Sequence, residues 1–435
     1  MALPSSQSQP QLPSDMTSRR RFLAIAGLAG IAGVAGALAW RSRRSPGLIN
    51  PCLGPLPDEL ARHSLVREAW DGVDPALIWD SHVHLFGDGG PDSEAWFSDR
   101  AGTWRWPVAE TQRRVFLNAA CLEPGAAAGA GYLAQLEILS APFPAGFRML
   151  LLAFDAFHDA EGARLDGATQ LYVSNDYCAR AAATLPGRFE WAASVHPYRP
   201  DAVAELERVH GLGARAVKWI PAAQGIDPGA PRCDPFYEAL ARLGLPLVTH
   251  AGEERALTGE QSLGNPLRLR RALEHGVRVV VAHCATMGRG RDLDAGPDGP
   301  WTDNFLLFAR LMDAPELVGR LYGDLSAVTQ RARAGEALRR IIERGSAGGD
   351  WEGRLVNGSD YPLPGILPLF SPDQLAAEGL LEPAAAAPLA AIRDHNPLLF
   401  DFVLKRSLRA GGRRLSPRVF ETRPFFAAAP VAAGD

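Results

Sequence analysis

The stretch Asp234-Pro235-Phe236-Tyr237-Glu238-Ala239-Leu240-Ala241-Arg242-Leu243-Gly244-Leu245-Pro246-Leu247-Val248-Thr249-His250 decides the fold. An aspartate followed by proline opens a helix, because the carboxylate satisfies a free N–H and proline's fixed φ suits the first turn. The helix runs from Phe236 to Leu243, and Gly244 closes it by taking the left-handed conformation that glycine tolerates best. Leu245 to Thr249 follows at once and is apolar without alternation, as in a parallel strand covered on both faces. A helix feeding directly into such a strand is part of a βα repeat.

The same arrangement recurs on both sides. Asn265-Pro266, Leu267 to His275 and Gly276 repeat it, and Asp201 to Val209 ending near Gly211 is a third case. Eight apolar runs qualify as strands: Leu77 to Asp80, Met149 to Phe154, Trp191 to Val195, Ala214 to Ile220, Leu245 to Thr249, Val277 to Ala282, Leu321 to Asp324 and Arg354 to Asn357. Eight such strands favour an α/β fold closed as a (β/α)8 TIM barrel. The alternative, an open doubly wound sheet, has no G-x-G-x-x-G after the first strand to support it. Leu85 to Phe147 is too long for a plain connection and reads as an insertion after strand 1, with a helix around Thr111 to Leu122; Val115 to Asn118 could form a strand instead. Met287 to Asp303 reads as a second, Gly/Asp-rich loop on the same face. The barrel spans residues 76–405, preceded by a linker and N-terminal extension over 46–75. It is followed by a tail over 406–435 that either wraps the domain or is a disordered end.

Polar residues stand where the apolar runs stop: Asp80-Ser81-His82-Val83-His84, Thr249-His250, Ala282-His283 and Asn357-Gly358-Ser359-Asp360. In a barrel these points share the C-terminal rim where catalytic groups gather. His82 and His84 are two apart on an extended chain, so both imidazoles point the same way and can bind one ion. His250, His283 and Asp360 would each be unremarkable alone. Together and in this order they point to a metal site.

With those motifs in place, the sequence resembles the amidohydrolase superfamily, in particular its branch of amidohydrolase-related proteins. Further matching motifs are Gly213-Ala214-Arg215-Ala216-Val217-Lys218, Leu245 to Gly252, Tyr322-Gly323-Asp324-Leu325-Ser326, Gly358-Ser359-Asp360-Tyr361-Pro362 and His395-Asn396-Pro397-Leu398-Leu399-Phe400, so the resemblance covers roughly residues 76–403. It implies a distorted barrel and a divalent metal, usually Zn2+. On the matching positions His82, His84 and His250 would be ligands, with Asp360 both ligand and acceptor of a proton from water. His283 would be a polarising acid or a ligand of a second metal. Lys218 would bridge two ions if carboxylated, but this branch usually works with one. One ion is therefore the expectation, with Lys218 snorkelling or paired to a carboxylate. His196 and Asp324 are expected to support the site rather than form it. The implied activity is hydrolysis of a C–N or C–O bond in a small amide, lactone or ester. The alternatives are a metal-dependent decarboxylase of an aromatic or unsaturated acid, and a non-catalytic exported binding protein. Arg268 and Lys218 either meet an acidic group on a small-molecule substrate or have surface or structural roles.

The first 45 residues are set apart. Ser18-Arg19-Arg20-Arg21-Phe22-Leu23 opens an apolar run to Trp40, which resembles a twin-arginine export signal. An uncleaved anchor, the chain's only expected membrane contact, is the alternative, and either places the catalytic part in the periplasm or at the outer face of the inner membrane. A net charge of −4 with 22% charged residues offers no basic excess for nucleic acid. The five cysteines are scattered, so neither a disulfide framework nor a zinc-ribbon spacing is legible and buried isolated thiols are expected. Cys284, beside His283, is the one with reactive potential.

Overall fold

A computed structural model describes residues 49–87, 94–98, 107–122 and 128–427. The expected export segment lies outside the described residues.

The eight expected strands all form: β1 (Trp79–His84), β2 (Arg148–Leu152), β3 (Phe189–Ala192), β4 (Val217–Trp219), β5 (Leu247–His250), β6 (Val279–Ala282), β7 (Leu321–Asp324) and β8 (Leu355–Val356). Every neighbouring pair within β1 to β3 and within β4 to β8 is parallel. Ala193 bridges Val217 across the β3/β4 seam and Val83 bridges Tyr361 across the β8/β1 seam, which closes the ring. These two seams carry few ladder bonds, so the barrel is distorted.

Alternation inside the barrel separates an apolar layer from a polar one. Leu150, Leu152, Ala192, Ala216, Val248, Val280 and Val356 form the interior cluster with Trp79. Two residues further along β4 and β5, on the same face, stand Lys218 and His250. β1 reaches this polar layer only through an irregularity between Asp80 and Val83. Without it, the phase of Trp79 would turn Ser81 and Val83 inward; the slip turns His82 and His84 inward instead.

The helix expected from Phe236 to Leu243 is α1 (Asp234–Leu243). Gly244 is left-handed as read, but Cys233 rather than Asp234 is the N-cap, because a 3₁₀ turn at Pro231–Cys233 leads in. Leu267 to His275 divides into a 3₁₀ turn, Pro266–Leu269, and a short helix, Arg270–Glu274. The insertion carries α2 (Pro107–Ala119), which contains Val115 to Asn118 in helical form. The loop after β6 contains a small antiparallel ribbon of Arg289–Arg291 with Trp301–Asp303.

Both flanks of the barrel are packed on it. Val66, Ala69 and Val73 of the N-terminal extension are buried, and Trp70 stacks on Phe402 at 4.7 Å. At the other end of the chain Phe426 joins the barrel interior and lies parallel to Trp79 at 6.4 Å, closing the N-terminal end of the barrel. Cys52 and Cys121 form a disulfide, which corrects the expectation of isolated thiols for these two. They are 69 residues apart and meet because Asn50 hydrogen-bonds Asn118 at the end of α2; spacing alone carries no trace of that. Among the described residues no helix is long and apolar enough to cross a membrane.

Candidate metal centre

His82, His84, Lys218, His250, His283 and Asp360 line one cavity of about 410 Å³ at the C-terminal rim. The tightest group is His82, His283 and Asp360, whose donor atoms all lie within 4.8 Å of one another. Asp360 is the hub. Its Oδ1 is 2.9 Å from His84 Nε2 and 3.4 Å from His82 Nε2, and its Oδ2 is 3.8 Å from His283 Nε2. His250 sits on the same floor with Nε2 3.4 Å from Glu254, and its Nδ1 is buried with no partner.

Two of the rings, those of His82 and His283, are held from behind. His82 Nδ1 donates to Asp324 Oδ2 at 2.5 Å, which leaves the lone pair of Nε2 facing the cavity, where Lys218 Nζ donates to it at 3.1 Å. His283 Nδ1 donates to the Ser326 carbonyl at 2.8 Å, so its Nε2 likewise presents a lone pair toward Asp360. Ser326 ties the two rings together, since its hydroxyl contacts both Nδ1 atoms and donates to Asp324. Burial pulls the pKa values of His82, His250 and His283 down, and those of His250 and His283 go far below the ordinary value, so these rings are neutral. Burial alone would raise Asp360, yet His283, His82 and His84 hold it well below the usual carboxylate range. Neutral imidazoles around an ionised carboxylate are a donor set that suits a divalent ion.

The backbone pays a conformational cost here. His283, Cys284 and Ala285 are left-handed in succession with φ of 56°, 49° and 50°, and Asp360 has φ 64°. Each such residue costs roughly 1–2 kcal/mol and is held by its surroundings. Around Asp360 the holding groups are visible. Asp80 Oδ1 accepts from Ser359 N–H at 2.8 Å, and Lys405 Nζ donates to the Gly358 carbonyl at 2.6 Å. A Cβ at Gly358 would lie 2.6 Å from Asp324 Oδ1 and 2.7 Å from the His82 Cβ, so only glycine lets the loop come this close.

Lys218 neither snorkels nor pairs with a carboxylate as expected: it is fully buried with Nζ on His82 Nε2, and burial brings its pKa down to about 8. Asp324 holds His82 from behind and His196 is structural, both as expected: His196 Nε2 donates to the Gln224 carbonyl at 2.9 Å and its Nδ1 accepts from Tyr198 N–H at 3.1 Å. Two further expectations are settled. Arg268 pairs with both carboxylate oxygens of Asp227 at 2.8 Å, because that acid lies nearer to it than the cavity does. Cys284 is sealed in the core with its thiol pushed far up by burial, so it is inert.

Three participants escape a motif-based reading: Lys405, Glu254 and Arg333. Lys405 had a signal, because the chain contains only two lysines, Lys218 and Lys405, against a large excess of arginine. Both are buried at this site.

The profile of the family described as "Amidohydrolase" matches residues 79–398, which run from the start of β1 to well beyond β8. This chain belongs to the amidohydrolase family. No curated protein matches it in sequence. Among solved structures it is similar to an uncharacterized TIM-barrel protein from Bordetella bronchiseptica, at 19% identity and TM-score 0.44, over 72% of this chain and 98% of that one. It is also similar to a candidate 2-pyrone-4,6-dicarboxylic acid hydrolase from Pseudomonas putida, at 18% and 0.38 over 75% and 98%. A third is 5-carboxyvanillate decarboxylase from Sphingomonas paucimobilis, at 14% and 0.43 over 81% and 99%.

Proposed function

We propose that this amidohydrolase-family chain is a metal-dependent hydrolase that uses water to cleave a C–N or C–O bond in a small amide, lactone or ester. The observation that carries the reading is the convergence of His82, His283 and Asp360 within 4.8 Å on the floor of a largely apolar cavity. Asp360 and His82, with the imidazoles of His84, His250 and His283 beside them, would hold one divalent ion, and a nitrogen-rich set with one carboxylate suits Zn2+. Such an ion supplies Lewis acidity and lowers the pKa of a neighbouring water.

The rest of the chemistry belongs to the chain. Asp360, ionised at neutral pH, is the base that takes a proton from water, and once protonated it can return it to the leaving group. Neutral His250 and His283 add lone pairs without adding charge. Ser359 is no nucleophile: its hydroxyl accepts from Tyr361 N–H at 3.0 Å within the loop.

The test is elemental analysis of the purified protein followed by amide, lactone, ester and aromatic-acid panels. A bound divalent metal and a new carboxylic acid in the product, both diminished by Asp360→Asn, are the expected result. Carbon dioxide release would assign a decarboxylase instead, and a protein that neither contains nor takes up metal would end both readings.

We further infer that the chain works outside the cytoplasm. The Arg19-Arg20-Arg21 segment and the Cys52–Cys121 disulfide support this independently, since disulfides persist in oxidising compartments.

A further inference from the structure

Arg333 is 7% exposed and lies on the loop after β7, lining the same cavity. Its side-chain contacts are two long ones, Nε to Gln330 Oε1 at 3.4 Å and Nη1 to Thr286 Oγ1 at 3.5 Å. Among the described residues it makes no ion pair, and unlike Arg354 and Arg393, which are also buried without one, it has no backbone carbonyl to donate to. Burying a guanidinium without a carboxylate is costly, and arginine cannot escape the cost by losing its proton. A group kept in that state at the edge of a binding cavity is poised for a ligand that completes it.

The remaining wall indicates what else the ligand carries. Phe86, Phe97 and Phe116 from the segment after β1, Leu171 after β2, and Leu363 and Ile366 after β8 present apolar surface. Arg333 enters from the β7 side of the ring, and Lys218, Glu254 and Arg255 from the β4 and β5 side. The cavity is therefore polarised, charged on one side and apolar on the other.

We propose that Arg333 seats an anionic group of the substrate, so that the cavity takes a small amphiphilic acid with its carboxylate on the guanidinium and its apolar body against the phenylalanine wall. A planar guanidinium can donate two parallel hydrogen bonds to a carboxylate, which gives orientation as well as affinity. The proposal rests on the reading of this cavity as the substrate site, but it concerns recognition and not the reaction.

The experiment is calorimetric binding of 3-phenylpropionate and 3-phenylpropionamide to the full chain as purified and after chelator treatment, with Arg333→Met and Arg333→Lys alongside. The acid is expected to bind the wild type about 10- to 100-fold more tightly than the amide, the range of a charge-assisted hydrogen bond. Arg333→Met should abolish the preference and Arg333→Lys keep part of it. Because the wild-type guanidinium is unpaired, the Tm of Arg333→Met should equal or exceed that of the wild type; a fall of several degrees would mark a structural arginine and overturn the proposal. Absence of a preference in the wild type, its survival in Arg333→Met, or its loss on chelation alone would overturn it as well. A preference that depends on Arg333 in a protein without hydrolytic activity would uphold the proposal while sinking the hydrolase reading.

Discussion

Replacing Lys405 by methionine probes how the Asp360 loop is held. Lys405 is fully buried, with Nζ 2.6 Å from the Gly358 carbonyl and 2.6 Å from Asp401 Oδ2, while Asp401 Oδ1 is buried without a partner. Burial pushes the Asp401 carboxyl up to about 7 even with the ammonium beside it. An acid whose folded-state pKa is raised favours folding at low pH, and that contribution is lost as pH rises, in the wild type between about 4 and 7. Methionine replaces the stem of Lys405 but not its charge, so the folded-state pKa of Asp401 moves higher and the loss continues above pH 7 at up to about 1.4 kcal/mol per unit. At pH 6 Asp401 is largely neutral in both proteins, and the cost reduces to the lost hydrogen bond to Gly358, about 1–2 kcal/mol. At pH 8.5 the cost should reach about 3–4 kcal/mol, within the range for breaking a buried pair. Urea unfolding of both proteins at several pH values measures this directly. A destabilisation independent of pH, or larger at pH 6, would refute the reasoning; adding Asp401→Asn to Lys405→Met should flatten the profile.

Three further outcomes follow from the same structure. Phe426→Ala should cost about 3–5 kcal/mol in chemical denaturation, because it opens the sealed end of the barrel beneath Trp79. Cys52→Ser should lower stability by up to about 4 kcal/mol through the freed 69-residue loop, and the denatured, unreduced wild type should titrate three thiols, those of Cys178, Cys233 and Cys284. Asp360→Asn should keep the fold by circular dichroism yet lower turnover by at least about 100-fold, with metal content read in parallel.

The barrel was legible because strands buried on both faces have no polar side to interrupt them, so Val279 to Ala282 and Leu247 to Thr249 stand out as continuous apolar runs. Asp80, His82, His84, His250, His283 and Asp360 were legible for a related reason: each ends or follows such a run, where only a rim position tolerates a polar side chain. What stayed hidden depends on contacts distant in sequence. The slip in β1 that sets the phase of His82 and His84 leaves no mark in Asp-Ser-His-Val-His, and the Cys52–Cys121 pairing is set by α2 docking on the residues around Asn50. Arg333 could not be singled out in a chain so rich in arginine, because its distinguishing property is a buried guanidinium that lacks both a carboxylate and a backbone carbonyl.

The hidden features share an energetic logic. The centre contains several arrangements that destabilise the fold by themselves: three successive left-handed residues at His283 to Ala285, another at Asp360, and an unpaired guanidinium at Arg333. None improves packing, and each brings a donor atom or a charge to the cavity. The opposing contributions lie just outside it, in the apolar interior layer with Phe426, in Asp324 and Ser326 behind two imidazoles, and in Lys405 under the Asp360 loop. Strain at a site surrounded by such support marks a place shaped for binding and reaction, since a barrel selected for stability alone would replace Arg333 with an apolar residue and Ala285 with glycine. Substitutions at the supporting positions should therefore lower stability, whereas those at the strained positions should spare stability and abolish binding or turnover.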